Sequence, residues 1–209
     1  MIHVDTELRF VSPEIGYGVF ATRFIPRGTI TWVRDRLDQS LTAEAIERLP
    51  PVYHDIVLKY SFVDARGRFV LCWDHARYMN HSCDPTCLSA GYDFELAIRD
   101  VAAGEELTDD YGSLNLDYGF HCHCGSPRCR REIRPDDLLT FAVDWDQMVA
   151  EPFALMKSVA QPLWPFLEER DAVEQALARR APVASVRKNF VDVASLLSDH
   201  PLLTRRVAP

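Results

Sequence analysis

Residues 77–87 read "RYMNHSCDPTC", and residues 120–130 read "FHCHCGSPRCR". The first stretch sets an amide, an imidazole and a hydroxyl side by side at Asn80, His81 and Ser82. It is polar, contains Pro85, and does not suit a long regular strand or helix. Polar side chains on a loop held by a rigid scaffold are frequent carriers of function, and a hydrogen-bonded turn is the plainer reading. The second stretch crowds Cys122, Cys124 and Cys129 into a Cys-x-Cys-x4-Cys spacing. Thiolates at such spacing suit zinc, and a closed structural zinc site takes four ligands. The run supplies three. His121 and His123 adjoin cysteines already used, which would make one short segment fill all four corners. A distant residue is geometrically easier, and Cys72, Cys83 and Cys87 are available.

Around these stretches the chain is ordinary for a globular protein. Of its 209 residues 47% are hydrophobic and 26% charged, enough for one compact domain with a core. No apolar run approaches the length of a membrane span. The start, "MIHVDTELRF", lacks the basic and then apolar pattern of a secretory signal. The expected location is the cytoplasm, or the nucleus if the source has one, where clustered cysteines bind metal more often than they pair. The net charge of -8 argues against direct nucleic-acid binding and suits a basic partner, although solubility alone explains it.

The first two thirds read as short strands: Glu7 to Val11, "GYGVFATRFI", Thr29 to Val33, a hairpin in "KYSFVDARGRFVLCW" turning at Ala65-Arg66-Gly67, "DFELAIRDV" and "EELTDDY". A helix is expected over 40–49, capped by Ser40 or Thr42 and stopped by Pro50-Pro51. Past Pro135 the pattern becomes helical: "DLLTFAVDWDQMV" with Asp136 as cap, "WPFLEERDAVEQALARR", and "SVRKNFVDVASLLS", whose Val186, Phe190, Val193 and Leu197 make one apolar face. The expected class is mainly β with helices (α+β). Gly16 and Gly18 flank Tyr17 at the start of a strand, where backbone and ligand can approach closely, but Ala21 breaks the pyrophosphate pattern. On a strand, Leu107, Asp109 and Tyr111 would share one face.

The order of these motifs resembles the SET-domain protein lysine methyltransferases with a post-SET zinc segment. The sequence has Gly-x-Gly, then Arg-Tyr-x-Asn-His-Ser-Cys, then Glu-Glu-Leu-Thr-x-Asp-Tyr, then Cys-x-Cys-x4-Cys, from about Leu8 to Arg130. The resemblance implies a SET fold of small β-sheets with a knot-like core over residues 1–118. A post-SET zinc segment would occupy 119–133, leaving a helical C-terminal appendix at 134–209. It implies that Cys83 completes a structural zinc site with Cys122, Cys124 and Cys129. It implies S-adenosylmethionine as methyl donor, held by Gly16, Tyr17, Gly18, Arg77, Asn80, His81, Tyr111 and Phe120, with Tyr111 as the catalytic residue and a protein or peptide amine as substrate. Asp109 departs from the family, which usually has Phe or Tyr there. A carboxylate at that place accepts a proton, binds a cationic group of the substrate, or is turned away from the channel. Methylation of a different amine and a non-catalytic SET module are the rival expectations.

Overall fold

The computed structural model describes residues 1–203. Its strands are β1 (Thr6–Ser12), β2 (Gly16–Ala21), β3 (Ile30–Val33), β4 (Gln39–Leu41), β5 (Ser61–Val63), β6 (Phe69–Leu71), β7 (Asn80–His81), β8 (Cys87–Ser89), β9 (Phe94–Ala97), β10 (Glu106–Asp109), β11 (Phe120–His121) and β12 (Glu132–Ile133). Its helices are α1 (Ala43–Glu47), α2 (Val52–Tyr60), α3 (Asp137–Leu155), α4 (Arg170–Leu177) and α5 (Val193–Leu196). The strands form small sheets ordered β1-β2-β10-β7, β3-β9-β8 and β4-β6-β5, with β11-β12 as a separate ribbon. The α+β class expected from the sequence is the class found.

The feature that positions the site is the parallel pairing of β7 with β10, which sets Asn80 beside Thr108 and His81 beside Asp109. The Asn-His-Ser segment therefore runs alongside the strand that delivers Tyr111. Strand β2 pairs with the other edge of β10, Val19 facing Leu107. Leu107 is fully buried in a cluster with Val19, Ile25 and Val101. Only the first part of the expected common face, Leu107 and Asp109, is realised as a strand. Tyr111 has left β10 for a 3-10 turn over Tyr111–Ser113, capped by the Asp110 carboxylate on the Gly112 N–H.

Several local expectations change in detail. Thr42, not Ser40, caps α1, accepting the Ala45 N–H at 3.2 Å. Ser40 lies in β4, and its hydroxyl takes Arg34 Nη2 at 2.5 Å. Pro50-Pro51 ends α1 and also starts α2, since a proline without an N–H is tolerated where a helix begins. Asp136 stands at the start of α3 but makes no side-chain cap.

The C-terminal helices pack into the body. Leu138, Ala142, Trp145, Val149 and Phe153 of α3 join Leu88, Phe94 and Leu96 of the β3-β9-β8 sheet in the largest apolar cluster, with Val173 of α4. The single helix expected over the last apolar face is broken into a 3-10 turn (Val186–Asn189) and α5. Asn115 explains the break. Its amide donates to the carbonyls of Asn189 (2.8 Å) and Val63 (2.9 Å), and its carbonyl accepts the Val191 N–H (2.8 Å). The Asn189 carbonyl and the Val191 N–H are backbone groups a continuous helix would have used itself.

Candidate active site

Asn80 ties three motifs together. Its side-chain amide donates to the Tyr17 carbonyl at 3.1 Å and to Glu106 Oε1 at 2.7 Å. A β-carbon at position 18 would stand 2.2 Å from Glu106 Oε1 and 2.9 Å from Asn80 Nδ2, so the second glycine of Gly16-Tyr17-Gly18 leaves the room in which these two side chains meet. Gly16 adopts a φ of 83°, the left-handed region that favours glycine. Tyr17 is half exposed and meets Phe10 and Tyr78 edge-on.

Tyr111 is held from both ends. Its hydroxyl donates to the Met79 carbonyl at 2.6 Å, and its backbone N–H donates to His81 Nδ1 at 3.1 Å. Its ring lies 5.4 Å from His81 and 6.3 Å from Phe120, centroid to centroid. Burial, with the carboxyl of Asp109 nearby, pushes the phenol above its usual range. The residue stays a neutral hydroxyl. Burial lowers His81 to about 4 against the pull of Asp110, so its ring is neutral as well. With Nδ1 accepting from Tyr111, the single proton of a neutral imidazole sits on Nε2, which faces Cys83 Sγ at 3.3 Å.

Beneath the turn, Asp110 is 1% exposed in its side chain and accepts both arms of the Arg130 guanidinium at 2.6 Å. It also accepts Trp145 Nε1 from α3 at 3.3 Å. Arg130 directly follows the last clustered cysteine, so one ion pair joins the tyrosine turn, the cysteine segment and α3. Burial works against the Arg130 charge, and the Asp110 bonds outweigh it, leaving the guanidinium charged throughout.

A cavity of about 310 Å³ opens beside Tyr111. Of the residues foreseen from the sequence, Arg77, Asp109, Tyr111 and Phe120 line it, together with Trp32, Phe62 and Phe94. Gly16, Tyr17, Gly18, Asn80 and His81 lie outside that lining, and of these His81 contacts a lining residue, Tyr111. Asp109, 3% exposed, sits in the wall of the cavity against Glu95 of β9. Burial raises both carboxyls: Glu95 to about 7, against the hydrogen bond with Asp109, and Asp109 well above its usual range, where the Glu95 charge further opposes its ionisation.

The cysteines converge. Ligand atoms of His81, Cys83, Cys122 and Cys124 lie within 4.8 Å of one another. Cys83 Sγ and Cys122 Sγ are 3.8 Å apart, and the Cys129 thiol touches the carbonyl oxygen of Cys122 and the side chain of Cys124. Backbone N–H groups of Arg130, Cys124 and Cys83 point at the sulfurs of Cys83 (3.4 Å), Cys122 (3.4 Å) and Cys124 (3.5 Å). Such donors stabilise thiolates, and this donor set fits a soft dication. Cys72 and Cys87 are buried elsewhere, in the cluster around Leu107.

The sequence reading missed Glu95, Asp110, Asn115 and Arg130. Asp110 and Arg130 stood next to recognised residues, but nothing local signals that they pair.

Comparison with known proteins places these motifs. The SET domain family model matches residues 16–112. The chain is similar to histone-lysine N-methyltransferase ATX2 of Arabidopsis thaliana, 45% identical over 62 residues that cover 26% of this chain and 6% of the relative. It is 30% identical over 138 residues to the H3 lysine-36 specific histone-lysine N-methyltransferase of Schizosaccharomyces pombe, covering 57% and 16%. It is 30% identical over 146 residues to histone-lysine N-methyltransferase NSD3 of Mus musculus, covering 62% and 10%. The chain thus spans a small part of the length of each. No helix among the described residues is long and apolar enough to cross a membrane. The residues that gather Asn80, His81 and Tyr111 are those the family model covers, and over that stretch the chain is similar to the SET-domain proteins.

Proposed function

We propose that the chain is an S-adenosylmethionine-dependent methyltransferase acting on a lysine side chain of a protein substrate, with Tyr111 as its catalytic residue. The observation that carries the reading is the Tyr111 hydroxyl, fixed on the Met79 carbonyl at 2.6 Å in the wall of a cavity lined by aromatic rings. Methyl transfer needs a neutral amine aligned with the donor. A free lysine, with a pKa near 10.4, costs about 4.6 kcal/mol to deprotonate at pH 7. Trp32, Phe62, Phe94 and Tyr111 give the cavity apolar walls against which the amine, once its proton has left, is held without charge. The Tyr111 oxygen, donating to Met79, keeps its lone pairs free to accept from the amine and aim it.

The donor supplies a methyl group on a sulfonium when bound. Gly16, Tyr17, Gly18, Asn80 and His81 would hold it beside Tyr111, with Arg77 and Phe120 toward the cavity. The open space at Gly16, the half-exposed Tyr17 ring and the Phe120 ring against His81 suit a flat, charged ligand.

We assign one structural zinc to Cys83, Cys122, Cys124 and Cys129. His81 stands outside the ligand set in this reading, because its Nε2 carries the proton and donates to the Cys83 sulfur. The ion would pin the segment after Tyr111 to the Asn-His-Ser segment.

A donor-binding titration followed by methyl transfer to a library of basic peptides tests the reading. Methylated lysine in the product supports it. Donor binding with transfer only to another amine, or binding with no transfer, overturns the assignment in favour of one of the rival readings.

A further inference from the structure

Asp109, at the end of β10, and Glu95, in β9, line the cavity beside Tyr111 and are in hydrogen-bonding contact with each other. One oxygen of Asp109 accepts the Asp110 N–H at 2.7 Å. Glu95 Oε2 is sealed from solvent and no donor reaches it. Among the described residues, no Lys, Arg or His forms an ion pair with either acid. The cations that line the cavity are engaged elsewhere: Lys59 lies over the Tyr60 ring at 5.3 Å, and Arg77 over the Tyr78 ring at 5.6 Å. Two carboxyls in an aromatic-walled cavity without a cation are costly for the protein. Such a pair is completed by a ligand that brings positive charge and several N–H donors.

We propose that the Asp109–Glu95 pair receives a primary alkylammonium and discriminates against its permethylated counterpart. The inference rests on reading this cavity as the amine pocket. A primary ammonium offers three N–H donors. One can go to the Tyr111 oxygen and the others to the paired carboxyls. A trimethylammonium head has the same charge and no donor. Aromatic walls alone favour neither strongly and accommodate quaternary heads well. Preference for the primary head therefore reports the acids. A pair that only glued β9 to β10 would leave no such preference.

The test uses the full chain without any methyl donor. n-Butylammonium and n-butyltrimethylammonium chloride are titrated in parallel, with binding followed by NMR shifts of cavity residues. The expected result is binding of the primary amine at least about tenfold tighter, the equivalent of one charge-assisted hydrogen bond. In Asp109→Asn and in Glu95→Gln, each checked for folding by circular dichroism, the ratio should fall toward one. Equal binding, tighter trimethyl binding, or shifts outside the cavity in the parent protein would overturn the proposal without any variant. Preference without methyl transfer to any peptide removes the proposed function and leaves the pair standing. Transfer to lysine without the preference removes the pair alone.

Discussion

Arg130 grips Asp110 with two hydrogen bonds of 2.6 Å, and this pair joins the cysteine segment to the turn that carries Tyr111. The same Asp110 holds Trp145 of α3, so α3 is part of the support of the Tyr111 turn. Removing one partner of a buried pair strands the other, at a cost of about 3–5 kcal/mol. Arg130→Met is expected at the lower end of that range, since its side chain keeps 18% exposure. The measurement is chemical denaturation at fixed metal content. A loss under about 1 kcal/mol would show the pair to be incidental.

Gly18→Ala places a methyl group 2.2 Å from Glu106 Oε1 and 2.9 Å from the Asn80 amide. Glu106 must move and the Asn80–Glu106 bond is lost. Donor affinity should fall about tenfold, since the Asn80 amide would no longer hold the Tyr17 carbonyl. Gly16→Ala meets nothing within 4 Å, and its penalty comes from the positive φ. Donor titration of both variants separates crowding from backbone strain.

The strands and the cysteine cluster were legible because their signals are local: alternation over a few residues, turn residues at Gly67 and Gly104, cysteines within one loop. The Asp109–Glu95 and Asp110–Arg130 pairs were not, because each joins elements far apart in sequence. Asn115 shows the same limit from the other side. The apolar spacing of Val186, Phe190, Val193 and Leu197 is real, but two hydrogen bonds with one distant side chain hold its backbone out of the helix it implies.

The pH dependence of stability has a definite sign at Glu95. Burial holds its folded pKa near 7, above the ordinary value of 4.5, so the folded state binds the proton more tightly than the unfolded chain. Its contribution is fully present below about pH 4.5 and is lost as pH rises through 7. Glu95→Gln should therefore show a smaller fall in thermal midpoint than the parent between pH 5 and pH 8 (roughly the window of this titration). A parent whose midpoint rises over that window relative to the variant would contradict the assignment.

Zinc analysis should find one ion per chain in the parent and a marked loss in Cys83→Ser and Cys129→Ser. His81→Ala should keep the metal and weaken donor binding instead. Cys72→Ser and Cys87→Ser should keep it too. Retention of the ion in Cys129→Ser with loss in His81→Ala would reverse the choice of fourth ligand.

The most direct measurement compares the parent with Tyr111→Phe, using S-adenosylmethionine and whichever basic peptide the library identifies, read by mass spectrometry. The account predicts methylated lysine from the parent, and from the variant an unchanged fold and donor affinity with turnover lowered at least about a hundredfold. Turnover within a few-fold of the parent, with the same product, would contradict the role given to the Tyr111 oxygen.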